Sequence, residues 1–146
     1  MKRFSQIICI VLVLVTVLST TAFAAAPVEP RGSNYFAASS VYFWHVSGSQ
    51  YQIWFDVTAK SGMTELGASQ IAVERSTDLV NWEPAGTYYK SSYPQMTTTS
   101  GTGHYANYVT YTASSGYAYR AVVTLYAKNS SGYGEMDEDT AILDLR

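Results

Sequence analysis

Apolar and polar side chains take turns from Tyr51 to Val57. Tyr51, Ile53, Phe55 and Val57 fall on one side, and Gln52, Trp54 and Asp56 on the other. A period of two marks a strand with one buried face, because successive side chains of an extended chain point to opposite sides. Comparable runs occupy residues 40–46, 69–76, 82–90, 105–113, 117–128 and 140–145. Together they predict seven strands, the number in the simplest immunoglobulin-like sandwich. No longer segment carries helical spacing, and a single helical turn is expected at most over Gly62–Gly67.

The punctuation agrees with that division. Ser47-Gly48-Ser49, Ser114-Ser115-Gly116 and Asn129-Ser130-Ser131-Gly132 separate neighbouring runs, and Gly and Asn tolerate the positive φ of tight turns. The polar stretch Ser91–Gly103 reads as the long crossover of the sandwich.

The first hairpin admits two registers. A two-residue loop at Ser47-Gly48 sets Trp44 opposite Tyr51 on the core face. A three-residue loop that adds Ser49 sets Trp44 opposite Gln52 and Tyr42 opposite Trp54, with all three aromatic rings outside. A slip of one residue exchanges the two faces of a strand. The second register is preferred because it aligns Val41 and Phe43 with Ile53 and Phe55.

The amino terminus reads differently. Lys2 and Arg3 precede an apolar run, Ile7 to Leu18, and Ala22-Phe23-Ala24 closes it as a small-x-small site. This is the layout of a secretory signal peptide, residues 1–24. The run is shorter than the roughly 20 apolar residues that span a bilayer, so no stable membrane insertion is expected after cleavage. Residues 25–38 hold two prolines and a glycine and read as a flexible leader. The sandwich domain is then 39–146, secreted, with neither an apolar tail nor an L-P-x-T-G signal at its end.

Composition narrows the function classes. The single cysteine, Cys9, lies in the signal peptide, so an exported domain holds no disulfide and depends on packing. Loss of Lys2 and Arg3 takes the formal charge from −2 to −4, which argues against nucleic acid as a partner. Tyrosine stands out, with 13 beside three tryptophans. Aromatic side chains serve sheets and binding surfaces equally well.

Catalytic chemistry is not expected. His45 and His104 are far apart and share no motif, and there is no G-x-S-x-G, H-E-x-x-H or C-x-x-C. No cofactor or metal is expected. In the acidic group Glu135, Asp137, Glu138 and Asp139, strand alternation puts Asp137 and Asp139 on a common face. A charged strand entrance that discourages edge pairing accounts for the group better than a calcium loop. Asp78 and Asn81 in Ser76–Glu83 shape a turn with Trp82 packed at its base. That phrase resembles S-x-D-L-x-x-W of some glycosidase propellers, but it occurs once and implies no activity here.

Two resemblances extend the picture. Tyr119, Ala121, Val123, Leu125, Ala127 and Asn129 resemble the penultimate strand of fibronectin type III-like domains, though two residues longer. The likeness implies that Tyr119 is a tyrosine-corner residue bonded to upstream backbone, with Tyr117 as the other candidate. Across the chain, Glu29-Pro30-Arg31, Ser33–Phe36, Met63-x-Glu65-Leu66-Gly67-Ala68, Val109-Thr110-Tyr111 and Val123–Ala127 resemble small secreted proteins of Gram-positive gut bacteria whose function is unknown. This implies export and a sandwich but no activity. The expectation is a non-catalytic β-sandwich for extracellular interaction or adhesion. The alternative is a carbohydrate-binding module that uses Tyr42, Trp44 and Trp54.

Overall fold

The computed structural model describes residues 34–60, 62–101 and 103–146. The expected signal peptide and most of the expected leader lie outside the described residues. Among the described residues nine strands follow in order: β1 (Phe36–Ser47), β2 (Gln50–Ala59), β3 (Glu65–Ser76), β4 (Glu83–Tyr89), β5 (Thr97–Thr98), β6 (His104–Thr112), β7 (Ala118–Asn129), β8 (Gly132–Asp139) and β9 (Leu143–Asp144). A 3-10 turn, Pro94–Met96, precedes β5. The strands form two antiparallel sheets, β1-β2-β6 and β4-β3-β7-β8. The short β5 adds to β3, and the short β9 adds to β7. The chain is therefore an all-β sandwich. In the constant-type immunoglobulin order the fourth strand joins the sheet of the first two; here β4 pairs with β3 instead.

Period-two alternation fills the core from both sheets. Ile53, Phe55 and Val57 of β2 face Ile71 and Val73 of β3 and Val123 and Leu125 of β7, all buried. Each such side chain contributes about 2 kcal/mol when taken fully out of water. Tyr119 is the largest fully buried side chain. Its hydroxyl accepts from the Ser114 N–H at 2.9 Å and donates to the Ser114 carbonyl at 3.1 Å. That is tyrosine-corner geometry, and it ties the start of β7 to the loop before it. The ring of Tyr117 packs instead on Arg75 and Tyr119.

The open flank between edge strands β4 and β6 is closed by side chains. Met96, fully buried, plugs it. The Gln95 carbonyl accepts from the Tyr105 hydroxyl at 2.6 Å and from Asn107 Nδ2 at 2.9 Å. The Tyr88 hydroxyl donates to the Thr110 carbonyl at 2.9 Å. Asn107 Oδ1 takes the Tyr108 N–H at 2.8 Å. These bonds occupy backbone groups on an edge that could otherwise pair with another strand. Gly67 permits the crossing of β5: its φ is +151°, and a Cβ there would lie 2.1 Å from the Met96 carbonyl oxygen.

Four elements differ from the sequence pattern. β1 begins at Phe36, inside the expected leader, because Phe36 is buried and Tyr35 accepts the Lys60 N–H. β3 extends back to Glu65, so the expected helical turn over Gly62–Gly67 is not formed. Thr64 and Glu65 are drawn into the sheet by Lys128 across the ladder. The last long strand is β8, not residues 140–145, which hold only the two-residue β9. Its inward positions include Gly134, Met136 and Glu138, too weak an apolar stripe to stand out. The crossover Ser91–Gly103 contains the 3-10 turn and β5.

Candidate functional site

The outer face of the three-stranded sheet carries the aromatic residues. Tyr42 pairs with Trp54 across β1 and β2, and Trp54 pairs with Tyr108 across β2 and β6. One ring from each strand thus stands in a single row. Tyr42 and Trp54 are nearly parallel, 6° apart with centroids at 6.4 Å, and Trp54 meets Tyr108 at 4.7 Å. The indole N–H of Trp54 donates to Gln52 Oε1 at 3.0 Å. One pair further along, Trp44 sits opposite Gln52 and is 60% exposed. Tyr42 is 41% exposed, and Trp54 is partly covered by its two neighbours. Of the residues picked from sequence, Tyr42, Trp44 and Trp54 are therefore brought together.

The hairpin that sets this face takes the Trp44–Gln52 register, though not through a three-residue loop. Ser47 pairs with Gln50 around a two-residue Gly48-Ser49 loop, and an extra residue, Val46, bulges between His45 and Ser47. Gly48 has φ +55°, and its carbonyl lies 3.0 Å from His45 Nε2. A bulge of this kind adds one residue to one strand and resets which face follows.

The rest of the face is polar or small. Ala38, Ser40, Gln50, Asp56, Thr58, His104, Ala106, Thr110 and Thr112 belong to it, and an exposed Val46 stands at the bulge two residues beyond Trp44. His104 Nε2 contacts Asp56 Oδ1 at 2.8 Å, with both side chains about half exposed. A carboxylate-oriented imidazole is one part of a nucleophilic triad. Among the described residues no hydroxyl is bonded to that ring.

Tyr108 completes the row, and sequence reasoning missed it. Alternation along β6 already separates Tyr108 and Thr110 from the inward Tyr105, Val109 and Tyr111. What alternation lacks is the partner: β2 and β6 meet across some fifty residues of chain, and nothing local fixes that register.

The remaining candidates are structural. Trp82 lies half-buried beneath the Arg120 guanidinium, 4.5 Å from the ring centroid, and Arg120 is held by Glu74 at 2.7 Å. Asp78 accepts from the backbone and side-chain N–H groups of Asn81, the Val80 N–H and the Ser76 hydroxyl. These bonds, those from Asn81 foremost, hold its carboxyl well below the usual range. They also fix Leu79 at φ +64°. At the sandwich end, burial raises Tyr111 to about 12, with Tyr119 and Tyr88 adding to the effect. The acids Glu135, Asp137 and Asp139 of β8 sit opposite Tyr126, Thr124 and Val122 on the outer face of the larger sheet, and Asp137 accepts from Thr124 Oγ1 at 2.7 Å. Among the described residues no group of three or more His, Cys, Asp or Glu side chains is placed to hold a metal ion.

The class defined by this architecture is an all-β sandwich with an aromatic–polar outer face on its smaller sheet. No protein family, curated protein or solved structure matches the chain. The resemblance to small secreted proteins of gut bacteria therefore rests on the short motifs quoted above.

Proposed function

We propose that the chain is an exported, non-catalytic binding domain that takes carbohydrate on the outer face of its smaller sheet. One observation carries this reading: Tyr42, Trp54 and Tyr108 form a row across all three strands, beside an exposed Trp44. A sugar ring has an apolar C–H face and a rim of hydroxyls. Stacked aromatics meet the first, and Gln52, Asp56, Thr110 and His104 surround the row with groups that meet the second. Aromatic pairs also strengthen sheets by up to ~1 kcal/mol each, but that role does not call for the exposed Trp44.

The test is a titration of the protein with linear neutral oligosaccharides, followed by tryptophan fluorescence. Trp44→Ala should weaken binding about tenfold, or ~1.4 kcal/mol, without lowering the melting temperature. Unchanged affinity in that variant overturns the placement of the site. Absence of binding across gluco-, manno- and galacto-oligosaccharides overturns the carbohydrate reading.

A further inference from the structure

Beside the aromatic row, at the β4–β6 flank, lies a cleft of about 470 Å³ lined by Tyr88, Tyr93, Gln95, Asn107, Tyr108 and Thr110, with Val109 at its base. The volume falls within the ~300–1,000 Å³ of small-molecule sites. Tyr88 and Tyr93 form its wall, edge to face, with centroids at 5.1 Å and planes at 70°. Most polar groups of the lining are already engaged. The Tyr88 hydroxyl bonds to Thr110, and the Asn107 amide bonds to Gln95, Tyr105 and Tyr108. Among the described residues, no hydrogen bond is made by the Gln95 side-chain amide or by the hydroxyls of Tyr93 and Tyr108. None of the described residues that line the cleft is charged.

We propose that this cleft is a second subsite for the same neutral carbohydrate chain, an inference that rests on the function proposed above. Tyr108 joins the two. Its ring meets Trp54 in the row, and the same residue lines the cleft. Two interstrand steps span about 10 Å, the length of roughly two sugar rings, so the row alone accommodates a disaccharide. A longer chain crossing the row from Tyr42 toward β6 passes Tyr108 and enters the cleft. There Tyr93 offers a stacking face, and the free amide of Gln95 offers both a donor and an acceptor. A rigid wall favours this use, because Tyr88 is held by its bond to Thr110 and little ordering is left for binding to drive. The uncharged lining selects neutral sugars, since an anionic residue would lose hydration there without a cation to replace it.

The test compares linear neutral oligosaccharides of two, four and six rings, with uronic-acid chains of the same lengths, by calorimetric titration. The expected result is about a tenfold gain in affinity from two rings to four, and no such gain for the acidic chains. Tyr93→Ala and Gln95→Ala should each flatten that gain and leave two-ring affinity unchanged; both side chains are exposed, and circular dichroism checks that the fold is kept. Two-ring binding with no gain at four rings, or a gain retained in both variants, overturns the second subsite while leaving the row intact. Failure of every neutral chain to bind the unaltered protein overturns both.

Discussion

Removing one oxygen from Tyr119 tests how the sandwich is stapled at the β6–β7 corner. In Tyr119→Phe the ring stays in the core, and only the hydroxyl is lost. That hydroxyl makes two bonds to the backbone of Ser114 and also meets the side chain of Tyr111. A hydrogen bond within a folded protein contributes about 0.5–1.5 kcal/mol net. Ser114 is exposed, so water can reach its freed N–H and carbonyl, which keeps the cost toward the lower part of the range. Two such bonds then amount to about 1–2 kcal/mol. Unfolding entropy near the midpoint is about 2.1 cal/mol/K per residue, so a domain of this length loses roughly 4–8 °C. The assay is thermal unfolding followed by near-ultraviolet circular dichroism, with urea midpoints at 25 °C as a second measure. Tyr117→Phe is the control. Its ring keeps the Arg75 contact at 4.5 Å, so the change should stay within about 0.5 kcal/mol, the usual limit for a surface substitution. If the two variants lose equal stability, or if Tyr119→Phe matches the parent, the corner is not what secures β7.

Two further outcomes follow from the packing. Gly67→Ala should cost more than about 3 kcal/mol and yield little folded protein, because the added methyl meets the Met96 carbonyl at 2.1 Å in a strained backbone region; Gly101→Ala, at φ +64° with open space around it, should cost about 1 kcal/mol by urea unfolding. In an absorbance titration at 295 nm the Tyr111 group should ionise near pH 12, above the ordinary tyrosine range. The unfolded chain releases that proton near pH 10, so folded stability is full below pH 10 and falls as the pH rises toward 12. Tyr111→Phe should flatten that fall in urea midpoints taken from pH 9 to 12, and an unchanged slope refutes the assignment.

How much of this was legible in the sequence depends on whether a feature is local. Alternation marks six of the seven long strands among the described residues, most plainly β2, β3, β6 and β7, whose inward residues are large: Ile53, Phe55, Ile71, Val73, Val109, Val123 and Leu125. It does not mark β8, since glycine, methionine and a glutamate hold its inward places. The Ser76–Asn81 turn is legible because its bonds join neighbours along the chain. The flank cleft is not, since it forms where residues 88–95 meet residues 107–110 through bonds of the Tyr88 and Asn107 side chains. The aromatic row falls between these cases. Two of its rings come from one hairpin and can be paired on paper; the third arrives by a non-local ladder.

That hairpin also explains why the exposed residues are the aromatic ones with polar atoms. The Gly48-Ser49 loop pairs Ser47 with Gln50. Carried on without interruption, the same register would put Trp44 opposite Ile53 and Phe43 opposite Trp54, burying Tyr42 and Trp44 and exposing Val41 and Phe43. By hydrophobic area the two choices differ little, which is why alternation leaves β1 undecided. They differ in polar atoms. A buried phenol or indole without a partner costs about 1–3 kcal/mol, whereas Val41 and Phe43 have nothing to satisfy. The extra residue at Val46 moves the ladder by one and turns Tyr42 and Trp44 outward, while Val41 and Phe43 align with Phe55 and Ile53. The choice that spares the core two unsatisfied groups is therefore the same one that lays Trp44 beside the row, and one inserted residue makes both.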